Sequence, residues 1–219
     1  MHWIRPHASL APLPGRFASV ALVGRDDPDR VELENFIAGI YRDRYGARLR
    51  SFLPHLLAYR DGEGRLSAAV GLRAGGEGRL FAEQYLDGPV ERVMAWREIA
   101  RVDRRAVAEV GNFAASTPGI ARELILQLAM LLQSAGMEWV LFVATRQLRN
   151  ALQRLRLPTI ELAEARVERL RGGGDWGTYY ASRPRLVCGN LAEGVAYLGA
   201  TQPAEDPGAA PTVCLAGVR

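Results

Sequence analysis

The stretch "VAEVGNFAAS", residues 107–116, has the apolar, branched character of a buried strand but carries Glu109, Gly111 and Asn112 in its interior. Successive side chains of a regular strand point to opposite faces, so Glu109 and Asn112 would diverge. A β-bulge at Gly111 shifts this alternation by one residue and turns both polar groups toward one side. The stretch therefore predicts a bulged central strand beside a polar crevice. A surface-facing Glu109 followed by a turn at Asn112 is the alternative.

Composition limits the classes of function. The chain has 28 basic residues, all of them arginine, a net charge of +4 and a pI near 9.4, which favours mild attraction of anions such as nucleotides and thioester cofactors. The arginines are dispersed among 24 acidic residues instead of clustering with aromatic residues, so nucleic-acid binding is not expected. Two cysteines, Cys188 and Cys214, and three histidines, His2, His7 and His55, form neither a metal-ligand spacing nor a disulfide framework.

Hydropathy predicts a cytoplasmic protein without an integral membrane segment. No run approaches the roughly 18 apolar residues of a membrane span, and the N-terminal sequence lacks the continuous apolar core of a signal peptide. A length of 219 residues with 48% hydrophobic residues is enough for a substantial core. We expect a single domain over residues 1–200 and a flexible tail over residues 201–219, which begin with "TQPAEDPGAAP".

Strand and helix patterns alternate along the chain. Branched apolar runs predict strands at 17–23, 53–59, 66–72, 80–85, 107–115 and 139–144. Four helices are predicted. The first has Asp27 as N-cap and Pro28 at its start, with an apolar stripe of Val31, Phe36, Ile37 and Ile40, and the second covers 89–99. The third starts at Thr117 and Pro118 and has the apolar residues Ile120, Leu124, Leu128, Leu131 and Leu132, and the fourth has Leu148, Ala151, Leu152 and Leu155 and ends near Pro158. This order indicates an α/β fold with a mixed, mostly antiparallel sheet flanked by helices, in which only the late strand-helix-strand unit is parallel.

The segment "STPGIARE", residues 116–123, joins the central strand to the longest helix. The first turn of a helix offers unpaired N–H groups and partial positive charge to an anion. Gly119 permits close approach of a ligand to the backbone. An ordinary Thr-Pro helix start explains the same residues without a ligand, so both interpretations stay open.

The element order resembles that of the GNAT acyltransferase superfamily, in which the central strand is bulged and the strands splay to admit a pantetheine thioester. In that superfamily a short glycine loop holds the cofactor pyrophosphate, and Gly119-Ile120-Ala121 resembles the end of this loop. The resemblance implies a GNAT-like fold with a bulged, splayed central strand. It also implies that the cofactor is bound by Phe113, Ala114, Ser116, Gly119, Ile120, Ala121 and Asn150.

A more specific resemblance covers residues 41–190. The motifs "EQYL", "EVGN" and "WGTYY", which begin at Glu83, Glu109 and Trp176, resemble the thermostable hemolysin family. That family is similar to the acyl-homoserine-lactone autoinducer synthases, whose Glu-x-x-Arg-Phe segment corresponds to "EVGNF". Asn112 replaces the arginine, so S-adenosylmethionine is not implied as the acceptor. The resemblance implies substrate-binding roles for Arg42, Tyr45, Tyr85, Trp176 and Tyr179.

These observations predict an N-acyltransferase that moves an acyl group from an acyl-CoA or acyl-carrier-protein thioester to a small amine or amino-acid-like acceptor, without a metal. Glu109 is the first candidate for the general base and Glu83 the second, with Asn112 beside them. Tyr180 or Tyr179 is the candidate acid for the departing thiolate, although "WGTYY" is equally consistent with an aromatic core wall. A membrane-active hemolysin-type toxin and a non-catalytic GNAT-like binding module remain the alternatives.

Overall fold

The computed structural model describes residues 9–10, 15–116, 119–171 and 174–201, with the side chains of residues 9, 10 and 198–201 excepted. Eight strands form one sheet in the order β1-β2-β3-β4-β5-β6-β8-β7. The strands are β1 Ser9–Leu10, β2 Ser19–Val23, β3 His55–Arg60, β4 Leu66–Ala74, β5 Val107–Ala115, β6 Trp139–Ala144, β7 Ile160–Glu164 and β8 Arg185–Asn190. The helices are α1 Arg30–Tyr45, α2 Val90–Trp96, α3 Ile120–Ser134, α4 Arg146–Arg154 and α5 Leu191–Thr201.

Hydrophobic helix faces cover both sides of the sheet. On one side, Leu124, Leu128 and Leu132 of α3 pack with Val70 and Val110 of the sheet. On the other side, α1 and α2 provide the covering residues; these include Leu33 and Ile37 of α1 and Val93 and Met94 of α2. The sheet is therefore a buried middle layer, and a gap between its strands would connect the two helical layers.

The fold class is confirmed. Strands β5 and β6 have the predicted bounds, and α3 and α4 lie where the apolar spacing places them. Strands β5 and β6 run parallel on either side of α3, and every other neighbouring pair in the described sheet is antiparallel. Helix α2 is shorter than the predicted segment 89–99.

The strand predicted at 80–85 is wrong, because Phe81–Tyr85 is a short 3-10 helix. Its first N–H groups bind carboxylates instead of a neighbouring strand. The N–H of Leu80 donates to Glu83 at 2.9 Å, and the N–H groups of Phe81 and Ala82 donate to Glu109 at 2.9 and 2.6 Å. A local acceptor, Glu83, and a distant one, Glu109, thus together override the local strand pattern.

The first helix begins at Arg30, two residues after the predicted start at Pro28. Asp27 is not the N-cap; its Oδ1 accepts a hydrogen bond from the N–H of Asp29 at 2.9 Å in the preceding turn. The predicted stripe is confirmed in part: Ile37 is buried and Phe36 and Ile40 pack against the core, but Val31 is 66% exposed. The fully buried face also contains Leu33 and Tyr41, which the predicted stripe omits.

The C-terminal third contains more regular structure than the sequence indicates. Strands β7 and β8 pair with each other and extend the sheet beyond β6, and α5 packs on α3. The predicted cap at Thr117 and Pro118 lies outside the described residues, as does the predicted tail after Thr201. Within the described residues, no helix is both long enough and apolar enough to cross a lipid bilayer.

Candidate active site

Strand β5 contains the predicted bulge, displaced by one residue. Ala69 pairs with Ala114 and Gly71 with Gly111, so two residues of β5 lie opposite one residue of β4. Asn112 takes up the irregularity in the left-handed region, with φ of 47°, whereas the prediction placed the bulge at Gly111. Asparagine adopts this conformation more readily than most residues, which explains why the glycine is not needed there.

The bulge shifts the alternation of side chains between the two sides of the sheet along β5. Ala108 and Val110 face α3 before it, and Phe113 and Ala115 face α3 after it. Glu109 lies on the opposite side of the strand, toward α1 and α2, and Asn112 follows it to that side. The predicted convergence of the acid and the amide on one face is therefore present.

Strands β5 and β6 separate just before the bulge. Their parallel ladder ends at the pair Val110 and Phe142, although both strands continue beyond it. Asn112 stabilises the opened backbone, because its Oδ1 accepts a hydrogen bond from the N–H of Leu53 at 2.9 Å. A Cβ atom on Gly71 would lie 2.7 Å from that Oδ1, so only glycine leaves room for this contact.

A cavity of about 630 Å³ passes through the gap between β5 and β6. On the α1 side of the sheet its lining is polar and aromatic: Arg25, Arg30, Glu34, Arg50, Arg73, Glu109, Asn112, Tyr41, Phe81, Tyr85, Trp176, Tyr179 and Tyr180. On the α3 side it is apolar: Ile125, Leu128, Ala129, Leu132, Phe142, Leu148, Leu152, Leu157 and Leu191. One cavity thus joins a charged end to an apolar end across the sheet.

Glu109 is the buried acid of the charged end, with 2% of its surface exposed. Burial raises the pKa of Glu109 to about 7 from its ordinary 4.5, although the N–H groups of Phe81 and Ala82 and the charge of Arg73 oppose this rise. Arg73 stands directly opposite Glu109 in the β4–β5 ladder. A carboxyl group with a pKa near neutrality can accept and release a proton under physiological conditions.

Glu83 has a different environment and does not line the cavity. Its carboxylate accepts hydrogen bonds from the Arg104 guanidinium and from the N–H groups of Leu80 and Val90. Burial alone would raise the pKa of Glu83, but these donors outweigh it and hold the pKa below its ordinary value. Glu83 therefore remains charged and fixes the turn that presents Phe81 and Ala82 to Glu109.

Two tyrosine hydroxyl groups meet in the cavity wall. Tyr85 and Tyr180 are hydrogen-bonded to each other, and burial raises the pKa of Tyr180 to about 12. The rings of Trp176 and Tyr179 lie 5.7 Å apart between their centroids and continue this wall. Both hydroxyl groups are protonated at neutral pH, so the pair can donate a proton.

The structure brings seven of the predicted site residues to the cavity: Glu109, Asn112, Phe113, Tyr85, Trp176, Tyr179 and Tyr180. Four others lie elsewhere in the fold. Arg42 is exposed and pairs with Asp43, Tyr45 packs against Tyr179, and Asn150 is exposed on α4. Glu83 is the fourth, in the separate environment described above.

The predicted cofactor loop divides into two groups. Ala114 and Ile120 are buried in the core, and the hydroxyl of Ser116 donates to the carbonyl of Ser67 at 3.0 Å. Gly119 and Ala121 line a second cavity of about 570 Å³ at the start of α3. Gly119 has φ of 94° at the N-cap of this helix, a conformation that favours glycine.

Three arginines border the second cavity, namely Arg122, Arg154 and Arg156. Within the described ranges none of them has a side-chain hydrogen bond or an acidic partner. The other described lining residues are Gly119, Ala121, Ala151, Leu155 and Tyr197, so the described part of this lining is positive and contains no acid. An anion is the ligand that such a lining favours.

Sequence reasoning missed the arginines of the main cavity. Arg25 and Arg50 lie in connecting segments before and after α1, where no periodic pattern distinguishes a cavity residue from a surface residue. Arg73 could have been found from the register of β4 and β5, because it is the cross-strand neighbour of Glu109. That register was not apparent, since the strand predicted at 80–85 stood between the two.

Three solved structures share this fold over most of their length. The AHL synthase LasI has 13% sequence identity and a TM-score of 0.55, covering 85% of this chain and 97% of that one. FeeM, an N-acyl amino acid synthase from uncultured soil microbes, has 12% identity and a TM-score of 0.55 over 84% and 98% of the two chains. BjaI, a CoA-dependent acyl-homoserine lactone synthase, has 11% identity and a TM-score of 0.55 over 85% and 89%. These similarities concern the fold.

No curated protein sequence matches the chain. The sequence model of the thermostable hemolysin family matches residues 23–195, a range that includes β5, the parting of β5 and β6 and most of the cavity lining. This range also contains the predicted segment 41–190 and extends it at both ends. Because the match spans well over half of the 219 residues, the chain belongs to the thermostable hemolysin family.

Proposed function

We propose that this protein transfers an acyl group from a thioester to the nitrogen of a small amine or amino-acid-like acceptor. The observation that carries the proposal is the position of Glu109, a buried acid with a pKa near 7, beside the gap where β5 and β6 part. The gap provides a channel for a thioester arm, and the acid provides a proton acceptor within the same cavity.

The reaction requires one proton acceptor and one proton donor. The amine nitrogen attacks the thioester carbonyl carbon, a C–N bond forms, and the C–S bond breaks. Glu109 takes the proton that the amine loses, directly or through one water molecule. Tyr180, hydrogen-bonded to Tyr85, gives a proton to the departing thiolate. Every atom is conserved without a metal or a covalent enzyme intermediate.

The oxygen of the carbonyl gains negative charge during the attack. Beyond Val110, β5 has no ladder partner on its β6 side, so its backbone can face a ligand in the gap. N–H groups presented there would stabilise the developing oxyanion. In this proposal Asn112 positions the backbone through its hydrogen bond to Leu53, and it contributes to the reaction by holding the gap open.

The donor fits the two cavities on the α3 side. We assign the apolar part of the main cavity to the acyl chain, because its lining is mostly aliphatic and includes the aromatic ring of Phe142. We assign the second cavity, with Arg122, Arg154 and Arg156, to the phosphate groups of the donor. Coenzyme A and a carrier protein both present a phosphate on a pantetheine arm, and both fit this assignment.

The solved structures of similar fold support acyl transfer as the reaction class. LasI and BjaI are acyl-homoserine lactone synthases, and the BjaI structure contains isopentyl-CoA. FeeM is an N-acyl amino acid synthase. The charge and hydrogen bonds around Glu109 in this chain are independent support, because they are read from its own residues.

Thiol release tests the proposal. Purified protein is incubated with acyl-CoA or acyl-carrier protein and a panel of amines, and the released thiol and the acylated product are measured. We expect donor-dependent thermal stabilisation and turnover, and Glu109→Gln should retain the stabilisation while lowering turnover about 10²- to 10⁴-fold. Glu138→Gln, at an exposed acid outside both cavities, is the matched control.

The other functional classes give different results in the same assay. Stabilisation by the thioester with no turnover of any amine would identify a binding module. Release of dye from liposomes in the absence of a thioester would identify a membrane-active protein. Unchanged turnover in Glu109→Gln would contradict the proposed base, even if the wild-type protein is an acyltransferase.

A further inference from the structure

The α1 end of the main cavity has an excess of positive charge. Its basic residues, which we call the arginine rim, are Arg25, Arg30, Arg50 and Arg73. The acids at the same end are Glu34 and Glu109. Among the lining residues that the structure describes, four guanidinium groups thus face two carboxyl groups, one of which, Glu109, has a pKa near neutrality. The rim therefore attracts an anion.

Two members of the rim are already engaged by the protein. Arg30 is paired with Glu34 at 2.7 Å, and its guanidinium also donates to the carbonyl groups of Leu53 and Pro54 at 2.7 and 2.9 Å. Arg73 donates to the carbonyl of Arg79 at 2.7 Å and faces Glu109 across the ladder. These contacts hold Arg30, whereas Arg73 lies opposite Glu109 and is only partly engaged, because its buried Nε has no hydrogen-bond partner among the described residues.

Arg25 and Arg50 are different. Both side chains are exposed at the cavity, and neither forms a hydrogen bond or an ion pair with any other described residue. The segment that carries Arg50 is nevertheless fixed, because Leu53 receives a hydrogen bond from Arg30 and donates one to Asn112. Two planar, unpaired guanidinium groups at one end of a cavity suit bidentate recognition of a carboxylate.

We infer that Arg25 and Arg50 bind the carboxylate of the acceptor, and that the acceptor is accordingly an amino acid with a free carboxylate. This inference rests on the proposed function. The amine of such a molecule lies next to its carboxylate, so anchoring the carboxylate on the rim directs the nitrogen to the interior, where Glu109 lies. Arg25 and Arg50 contribute affinity and orientation, and Glu109 accepts the proton.

A comparison of amino acids with their primary amides tests this inference. Each pair has the same amine and side chain, and only the acid has the negative charge. With a fixed acyl-CoA, wild-type protein should prefer each amino acid over its amide about 10- to 100-fold in kcat/KM, as expected for a charge-assisted hydrogen bond. Arg25→Gln and Arg50→Gln should raise KM for the acids by a larger factor than for the amides, so the preference for the acid should shrink toward one. Arg101→Gln, an exposed arginine outside the cavity, is the control.

The outcomes separate the inference from the proposed function. Equal use of acids and amides, or equal losses for both in the two variants, would overturn the inference and leave acyl transfer intact. Weaker thermal stabilisation by acyl-CoA in both variants would assign the rim to the phosphates of the donor and would also overturn it. If wild-type protein acylates no amine at all, the proposed function fails, and the inference fails with it.

Discussion

Glu109 should make the stability of the protein depend on pH in a defined direction. Its pKa is about 7 in the folded chain against an ordinary value of 4.5, mainly because burial disfavours the charged form. Below about pH 4.5 both states hold the proton, and the stabilising effect of the raised pKa is fully present. Between about pH 4.5 and 7 the unfolded chain loses this proton first, so the free energy of unfolding falls. The effect is complete above about pH 7.

The magnitude follows from the two pKa values. Each tenfold difference in proton affinity corresponds to about 1.4 kcal/mol, so a pKa of about 7 against 4.5 corresponds to roughly 3 kcal/mol. Glu109→Gln removes the titration. One of the two N–H groups of Phe81 and Ala82 then loses its acceptor, at a cost of about 1–3 kcal/mol that does not change with pH. The slope against pH therefore isolates the ionisation of Glu109.

Urea denaturation from about pH 4 to about pH 9 measures this slope in wild-type protein, Glu109→Gln and the exposed control Glu138→Gln. We expect the stability of wild type relative to Glu109→Gln to fall by roughly 3 kcal/mol as pH rises through this range. Glu138→Gln should remain parallel to wild type. Parallel curves for Glu109→Gln and wild type above about pH 5.5 would refute the raised pKa and with it the readiness of Glu109 to act as a base near neutrality.

Three further changes test other parts of the site. Glu83→Gln should destabilise the protein by about 3 kcal/mol at neutral pH, because it leaves the partly buried Arg104 without its main partner. The loss of stability should shrink toward acidic pH, where Glu83 of the wild type is protonated. A urea titration that shows no loss would contradict this pairing. Asn112→Ala should be less stable than Asn112→Gly by about 1 kcal/mol. Both variants lose the hydrogen bond to Leu53, but of the two residues only glycine adopts φ of 47° without strain. The reverse order of stability would exclude strain at the bulge. Ala129→Leu fills the apolar end of the cavity and should therefore shift the preferred acyl-CoA to shorter acyl chains. If the chain-length preference measured by thiol release is unchanged, the acyl chain binds elsewhere.

Local pattern was sufficient for several elements of this protein. The polar interruption of an apolar run at Glu109 and Asn112 predicted a bulged strand, and the helical spacing of apolar residues from Ile120 to Leu132 predicted α3. Both signals depend on neighbours a few residues apart, where the periods of the strand and the helix are defined.

The motifs that begin at Glu83, Glu109 and Trp176 were also sufficient to identify the family, which the match over residues 23–195 confirms.

The composition of the cavity depends on contacts between distant segments. The residue that adopts the left-handed conformation is Asn112 and not Gly111, because the Asn112 side chain can reach the N–H of Leu53, 59 residues earlier in the chain. The segment at 80–85 is a 3-10 helix and not a strand, because Glu83 and Glu109 bind its N–H groups. The contacts made by Asn112 and Glu109 span distant segments and leave no local signature, whereas the bond from Leu80 to Glu83 is local.

Short-range periodicity and contiguous motifs were thus enough to predict the mixed α/β fold, the bulged strand and the family. The set of polar residues that share one cavity is apparent only in the folded chain. The tertiary structure separated Glu83, charged beside Arg104, from Glu109, whose pKa burial raises, and it brought Arg25, Arg50 and Arg73 from three segments to the same cavity. The physical reason is that the pKa and the unpaired charge of a side chain depend on burial and on neighbours that the folded chain supplies from far along the sequence.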